Sequence, residues 1–289
     1  MRILVTGREG QVARSIAERL GDRFILSFAA RPDFDLVDRA SVRRMVERMK
    51  PDIVVSAAAY TAVDRAEAEP DLAMAVNAEG PRTLAQACAA EGIPIIHLST
   101  DYVFDGSGDR PWREDDPTGP INVYGHTKLA GEVAIRESGV RHAILRTSWV
   151  YSPFGANFVK TMLRLAEDRE IINIVDDQVG CPTSAIDIAD AIGVVIEAWQ
   201  NGGGSFGTYH FSGREAMNWA DFARAIFTQS VRLGGPHAQV MGIPTAQYPT
   251  PARRPLNSRI DSKAFANDFD FAMPDWEDSL AEVMSRLVN

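Results

Sequence analysis

Tyr124 and Lys128, the ends of Tyr124-Gly125-His126-Thr127-Lys128, stand four apart and share one face of any helix that carries them. A lysine ammonium beside a phenol favours the phenolate and draws the tyrosine pKa toward neutral pH. Such a phenol can exchange a proton with a carbonyl/alcohol pair. Upstream, Ser99-Thr100-Asp101-Tyr102-Val103-Phe104 follows an apolar stretch. That puts the Thr100 hydroxyl just past a strand end, where it can hold the same oxygen. Tyr-x-x-x-Lys alone arises often by chance. It becomes specific together with a glycine-rich segment near the amino terminus.

That segment is Thr6-Gly7-Arg8-Glu9-Gly10-Gln11-Val12-Ala13, between a first apolar run and a helical stretch. Gly7 permits a tight turn, and Gly10 lets a pyrophosphate approach the backbone. Ala13 stands where a third small residue allows close helix–strand packing. The helix amino terminus then stabilises phosphates, so the segment reads as a dinucleotide site. An acid at the end of the second strand would bind the ribose 2′-hydroxyl. Here Ser27-Phe28-Ala29-Ala30-Arg31 has no acid until Asp33. Arg31, with Arg8, can pair with a 2′-phosphate; the alternative is that both are solvated. The segment favours NADPH and leaves NADH open. Asp35-Leu36 can border the adenine, and the small residues of Ala57-Ala58-Ala59-Tyr60 can let a cofactor lie against the backbone.

The elements that must position these groups are legible as alternation. Apolar runs at Ile3–Thr6, Phe24–Phe28, Ile53–Ser56, Ile95–Leu98 and Ala143–Arg146 read as buried parallel strands. Helical stretches fall between them at Gln11–Leu20, Ala40–Met49, Pro81–Glu91 and Tyr124–Glu137. The spacing predicts an α/β, Rossmann-type, doubly wound parallel sheet over residues 1–150. Beyond, Pro, Gly and aromatic residues are frequent, with helices near Asn157–Glu167, Ile186–Trp199 and Asn218–Gln229. Residues 151–289 read as a smaller substrate-binding lobe, interleaved with the sheet. Gly202-Gly203-Gly204 reads as a turn, and the four prolines from Pro244 to Pro255 resist regular structure.

The 289 residues can bury a large core, and the formal net charge of −9 argues against nucleic-acid and anionic-membrane partners. No apolar run is long enough to span a bilayer, and Met1 leads into Ile3-Leu4-Val5, which reads as a first strand, so no signal peptide is expected. With only Cys88 and Cys181, the chain suits a reducing compartment, and a cytoplasmic location is expected. His97 on the fourth strand reads as a satisfied core residue and His126 as exposed. No His/Cys/Asp/Glu spacing suggests a metal site, and Ser99 has no base partner for acyl transfer. An anionic substrate needs cations concentrated locally. Arg253-Arg254-Pro255-Leu256-Asn257-Ser258-Arg259 is the densest cationic run and fits diphosphate binding, with a solvated loop as the alternative. Trp149 can stack on a base, cover a sugar face, or pack in the core.

Taken together, these runs resemble the extended short-chain dehydrogenase/reductase superfamily and, within it, the dTDP-4-dehydrorhamnose reductase family. The resemblance spans nearly the whole chain, through Gly7–Ala13, Ala57–Asp64, Ser99–Phe104, Asn122–Gly125, Thr127–Glu132, Arg146–Tyr151 and Pro249–Ser258. It implies a catalytic set of Thr100, Tyr124 and Lys128. It implies that Gly10, Gln11, Val12, Asp35, Leu36, Ala59, Tyr60, Thr61 and Leu98 line the cofactor with Tyr124 and Lys128. Thr100, Asp101 and Trp149 would touch a nucleotide sugar. The implied reaction is NAD(P)H-dependent reduction of a C4 ketone. Ala13, where a glycine is usual, and Ser56, where asparagine is common, depart from the pattern. The acid found in many relatives after the second strand is missing. Some relatives carry a magnesium ion between subunits; its ligands find no match here. A 4,6-dehydratase would need Asp-Glu after the threonine, where this chain has Asp101-Tyr102. A 4-epimerase would keep its cofactor from one turnover to the next, where a reductase releases it oxidised. A non-catalytic regulatory subunit of this fold could lose Tyr124, Lys128 or the threonine, and all three stand here. The oligomeric state stays open, a homodimer included.

Overall fold

A computed structural model describes residues 1–288. Five strands, β1 (Arg2–Thr6), β2 (Ile25–Ala29), β3 (Ile53–Ser56), β4 (Ile95–Thr100) and β5 (His142–Thr147), form a parallel sheet with a sixth, Gly207–His210. The order runs Gly207–His210, β5, β4, β3, β1, β2. The chain steps from β1 to β2 on one side, then returns to β3 on the other. The strand order therefore reverses beside β1, and the crevice at the carboxyl ends there is where such sheets bind ligands. Buried Ile, Val and Leu along β1, β3, β4 and β5 explain the strands, which are covered on both faces.

One face is covered by α1 (Gln11–Leu20), the helix Ala185–Gln200 and the helix Lys263–Phe269, packed around Ile16, Leu20, Ile192, Val195 and Phe265. The other is covered by α2 (Arg39–Met49) and the helices Gly80–Ala90 and Val123–Glu137, through Val42, Leu84 and Ile135. A third core, with Val159, Ile172, Phe222, Ile226 and Val283, belongs to the carboxyl-terminal lobe. There the helices Phe158–Ala166, Trp219–Arg232 and Trp276–Leu287 flank a parallel pair, Ile171–Val175 with Gln239–Ile243.

The five strands expected from the sequence form within one or two residues of their expected ends. The strand Gly207–His210 is an addition. It shows that the chain after residue 150 returns to the sheet, as does the Ala185–Gln200 helix packed on α1. The region Ala57–Pro81 holds more helix than expected: Val63–Ala68, Pro70–Met74 and a π turn at Ala75–Glu79. From Pro244 to Pro255 the only regular element is a short 3₁₀ turn, Thr245–Gln247. His126 is exposed, and Cys88 and Cys181 are buried free thiols. No helix among the described residues is long and apolar enough to cross a membrane.

Candidate active site

Tyr124 enters the site because its helix starts there. Asn122 caps the Val123–Glu137 helix, accepting from the Gly125 N–H at 2.8 Å, and its own amide donates to Arg253 O at 2.9 Å. The cap thus ties the Tyr124 helix to the arginine loop. Two glycines let the helix approach closely. A Cβ on Gly125 would lie 2.2 Å from Tyr102 O, and one on Gly131 would lie 2.2 Å from Asn77 O. The first approach brings Tyr124 onto the turn that follows β4.

Thr100 is the last residue of β4. Its hydroxyl donates to Asp101 Oδ1 at 2.9 Å and accepts from the Tyr102 N–H at 3.2 Å. Burial pushes the Tyr124 phenol up, a hydrogen bond with Thr100 opposes this, and the Asp101 carboxylate adds to the rise. The phenol is therefore protonated at neutral pH. Burial likewise pushes the Asp101 carboxyl up to about 6, against the hydroxyls of Ser258 and Thr100.

Lys128 departs from the expectation drawn from its spacing. Its side chain is buried, and Nζ donates to Leu98 O at 2.6 Å and lies 3.4 Å from His97 Nε2. It is not among the groups acting on the Tyr124 phenol, which is raised rather than lowered. A buried ammonium is costly without partners, and the Leu98 carbonyl supplies one. Burial pushes Lys128 down to about 8, while the Glu132 carboxylate pulls it back up. Glu132, one turn further along the helix, is itself buried. It accepts from Arg146 at 2.8 and 2.9 Å and from Ser99 Oγ at 2.6 Å, which locks the helix to β4 and β5.

The cofactor-side residues converge. A cleft of about 370 Å³ is lined in part by Gly7, Arg31, Asp35, Leu36, Ala59 and Tyr60. Gly7 adopts φ +88°, which L side chains avoid, and its N–H donates to Ala29 O at 2.7 Å. Thr6 Oγ1 holds the N–H groups of Ala57 and Ala58 at 3.0 Å each, pulling the small-residue turn after β3 under the glycine loop. Gly10 caps α1 with no side-chain bond, and nothing lies within 4 Å of a Cβ built there. An open helix amino terminus beside an apolar, small-residue cleft fits a dinucleotide.

Arg31 is 72% exposed, and its Nε donates to Asp35 Oδ2 at 2.7 Å. Burial would raise the Asp35 carboxyl, but Arg31 and the Val37 N–H hold it below its usual value. Gln11, Val12, Thr61 and Leu98 do not line this cleft. The Gln11 side chain turns instead to the second lobe, where Oε1 accepts from Ser152 Oγ at 2.9 Å and Asn157 Nδ2 at 3.0 Å.

On the substrate side, Trp149 has φ +48° and stacks on Trp219, centroids 3.5 Å apart and planes within 8°. Gly180 runs so near that a Cβ there would lie 2.4 Å from the indole. Arg254 is 18% exposed, and Nη2 bonds Asp64 Oδ2 at 2.9 Å. Arg254 Nη1 and Asp101 Oδ2 are buried without hydrogen-bond partners. The arginine loop is held through Asn257, whose amide donates to Arg110 O at 2.8 Å and Ser107 O at 3.2 Å. Among the described residues no group of three or more His, Cys, Asp or Glu side chains could hold a metal ion.

Sequence reasoning missed Asn77, Glu132 and Trp219. Asn77 is buried, bonds both main-chain polar groups of Tyr60 and reaches Thr127 Oγ1 at 3.0 Å, which couples the turn after β3 to the Val123–Glu137 helix. Glu132 had a signal, since it stands four residues after Lys128 on the same inward face.

Comparison with known proteins agrees with this geometry. The family model described as the RmlD substrate binding domain matches residues 1–289. A dTDP-4-dehydrorhamnose reductase of Sinorhizobium fredii is 46% identical over 291 residues, covering 100% of this chain and 98% of that protein. The crystal structure of a dTDP-4-dehydrorhamnose reductase of Clostridium acetobutylicum is similar at a TM-score of 0.92 and 37% identity, covering 99% of each chain. That of Bacillus anthracis, solved in complex with NADP, is similar at 0.91 and 35%, covering 98% of each. The glycine turn, the close approach of the Tyr124 helix to the turn after β4 and full-length similarity converge on one conclusion: this chain belongs to the dTDP-4-dehydrorhamnose reductases, a family of oxidoreductases on the extended short-chain dehydrogenase/reductase fold.

Proposed function

We propose that this chain reduces the C4 ketone of dTDP-4-dehydro-β-L-rhamnose to dTDP-L-rhamnose, with NADPH preferred and NADH usable. One juxtaposition carries the reading. Tyr124, its phenol held protonated by burial, stands on the helix that Gly125 brings against Tyr102 O, two residues past Thr100 at the carboxyl end of β4, and the same region holds two buried polar atoms without partners, Asp101 Oδ2 and Arg254 Nη1. Buried polar groups are ordinarily satisfied, so these two await a ligand.

When bound, the nicotinamide supplies the hydride. Tyr124 gives its proton to the developing alkoxide, and Thr100 holds that oxygen, stabilising charge that grows toward the transition state. Lys128 would hold the nicotinamide ribose through its remaining N–H donor. Gly7, Gly10, the amino terminus of α1 at Gln11 and Val12, and the turn Ala59-Tyr60-Thr61 would bind the dinucleotide, with Leu98 behind the nicotinamide. Asp35 and Leu36 would border its adenosine. Arg31 would take the 2′-phosphate in exchange for its bond to Asp35, which fits the NADP complex of the Bacillus anthracis relative.

Asp101 and Trp149 would contact the sugar nucleotide, and Arg254 its diphosphate. The nucleotide then anchors the sugar, and that binding energy sets the ketone in register. The enzyme would work in the cytoplasm, where its two buried thiols stay reduced. The purified protein should oxidise NADPH in proportion to added dTDP-4-dehydro-L-rhamnose and leave the nucleotide-free keto sugar nearly untouched. Equal use of simple ketones would sink the nucleotide-sugar reading.

A further inference from the structure

The surroundings of Lys128 fix more than its position. An ammonium carries three N–H donors and no acceptor. Its nitrogen donates to Leu98 O at 2.6 Å and faces His97 Nε2 at 3.4 Å. His97 is fully buried on β4, and its other nitrogen lies 3.0 Å from Ser56 Oγ on β3. Ser56 and His97 are register partners of the parallel pair β3–β4, so the sheet itself sets this contact. A ring nitrogen that faces an all-donor group must be the unprotonated one. A neutral His97 therefore carries its proton on Nδ1 and donates it to Ser56 Oγ. An imidazolium there would set two buried cations against each other. Burial and the Lys128 charge also hold His97 well below its usual range.

We infer that His97 is a positioning residue for Lys128: a neutral imidazole, locked by Ser56 as the Nδ1–H form, whose Nε2 accepts from the ammonium and holds it at the site. Two of the three ammonium donors are then engaged within the protein, and the third is left for a cofactor hydroxyl. The inference rests on the proposed place of Lys128 in the cofactor site. The pattern Ser56, His97, Lys128 joins the sheet core to the catalytic helix, so a position read from sequence as core packing also has a polar task.

The test uses the full-length protein at pH 7 with ¹⁵N-labelled histidine, His97 being assigned by its disappearance in His97→Gln. Long-range ¹H–¹⁵N correlation should show Nδ1 protonated and Nε2 bare. In Lys128→Met the Nε2 resonance should move downfield, as for a bare nitrogen that has lost its donor. An Nε2–H tautomer, an imidazolium, or a resonance indifferent to Lys128→Met overturns the inference. Binding of NADPH gives a second readout. His97→Leu should weaken the Kd on the order of tenfold. His97→Gln, whose carbonyl can accept from the ammonium, should recover most of that loss. A packing role alone predicts the reverse order, since leucine suits an apolar core better than glutamine. Should either variant fail to fold, the wild-type tautomer and its response to Lys128→Met still decide. Neither measurement needs the sugar substrate. A predicted tautomer with an NADPH Kd unchanged in Lys128→Met would overturn Lys128's place in the cofactor site, not the tautomer.

Discussion

Replacing Asp101 by Asn should separate what the fold pays from what the site gains. Asp101 is buried at the end of β4, with Oδ1 accepting from Thr100 and Oδ2 accepting from nothing. Burial lifts its carboxyl from the ordinary 3.8 to about 6. That gap of about 2 pH units corresponds to ~3 kcal/mol at neutral pH. The folded pKa is raised, so the folded state binds the extra proton between about 4 and 6. This contribution is fully present below about 4 and lost as pH rises through about 6. An asparagine keeps an acceptor for Thr100 and removes the charge. Burying its NH₂ group, at the position where Oδ2 has no partner, costs ~1 kcal/mol. Urea unfolding at pH 4 to 8 should therefore find Asp101→Asn about 2 kcal/mol more stable than wild type at pH 7, with the gap closing toward pH 4. The same variant should lose kcat/KM for the nucleotide sugar. Equal stability at pH 7, or a gap that widens toward acid, would show that Asp101 is not the strained carboxylate described above.

Four other outcomes follow from the same geometry. Tyr124→Phe should fold normally and lose ~10²–10⁴-fold in kcat, with the NADPH Kd little changed in a direct titration. Gly125→Ala puts a Cβ 2.2 Å from Tyr102 O, so thermal melts should register a destabilisation of about 1–3 kcal/mol, and kcat should fall as Tyr124 is pushed off Thr100. Arg31→Ala should reduce a preference for NADPH over NADH by roughly 10–150-fold and leave NADH kinetics nearly intact, as compared by kcat/KM for each cofactor. Arg254→Ala should raise KM for the nucleotide sugar and not for NADPH. Its partner Asp64 is 41% exposed, so the effect falls at the lower end for such pairs, ~2 kcal/mol or roughly thirtyfold.

Much of this site is legible in the chain because local rules and tertiary structure agree there. Gly7 needs its positive φ, Asn122 caps the helix it precedes, and continuous apolar runs make buried strands. What escaped depends on partners distant in sequence. Gly207–His210 is short and only half apolar, and it becomes a strand because β5 offers an edge some sixty residues away. The Tyr124–Lys128 spacing fixes a helix face but not the acceptor the amine chooses, and the Leu98 carbonyl and His97 come from β4. Trp149 stacks on Trp219 from the second lobe, a partner some seventy residues away that no local pattern names. Asn77 carries no pattern that singles it out in Val76-Asn77-Ala78-Glu79, and its amide bridges Tyr60 and Thr127 from inside a π turn.

The central claim is hydride delivery to C4 of a nucleotide-linked keto sugar, with Tyr124 supplying the proton to oxygen. Its most direct test is to turn over dTDP-4-dehydro-L-rhamnose with NADPH deuterated at both C4 positions of the nicotinamide, and to locate the label by NMR. The account predicts one deuterium per cofactor oxidised, bonded to C4 of dTDP-L-rhamnose, with formation of that product slowed by the Tyr124→Phe change. Cofactor oxidation without deuterium at C4, or label transfer at the wild-type rate in Tyr124→Phe, would contradict it.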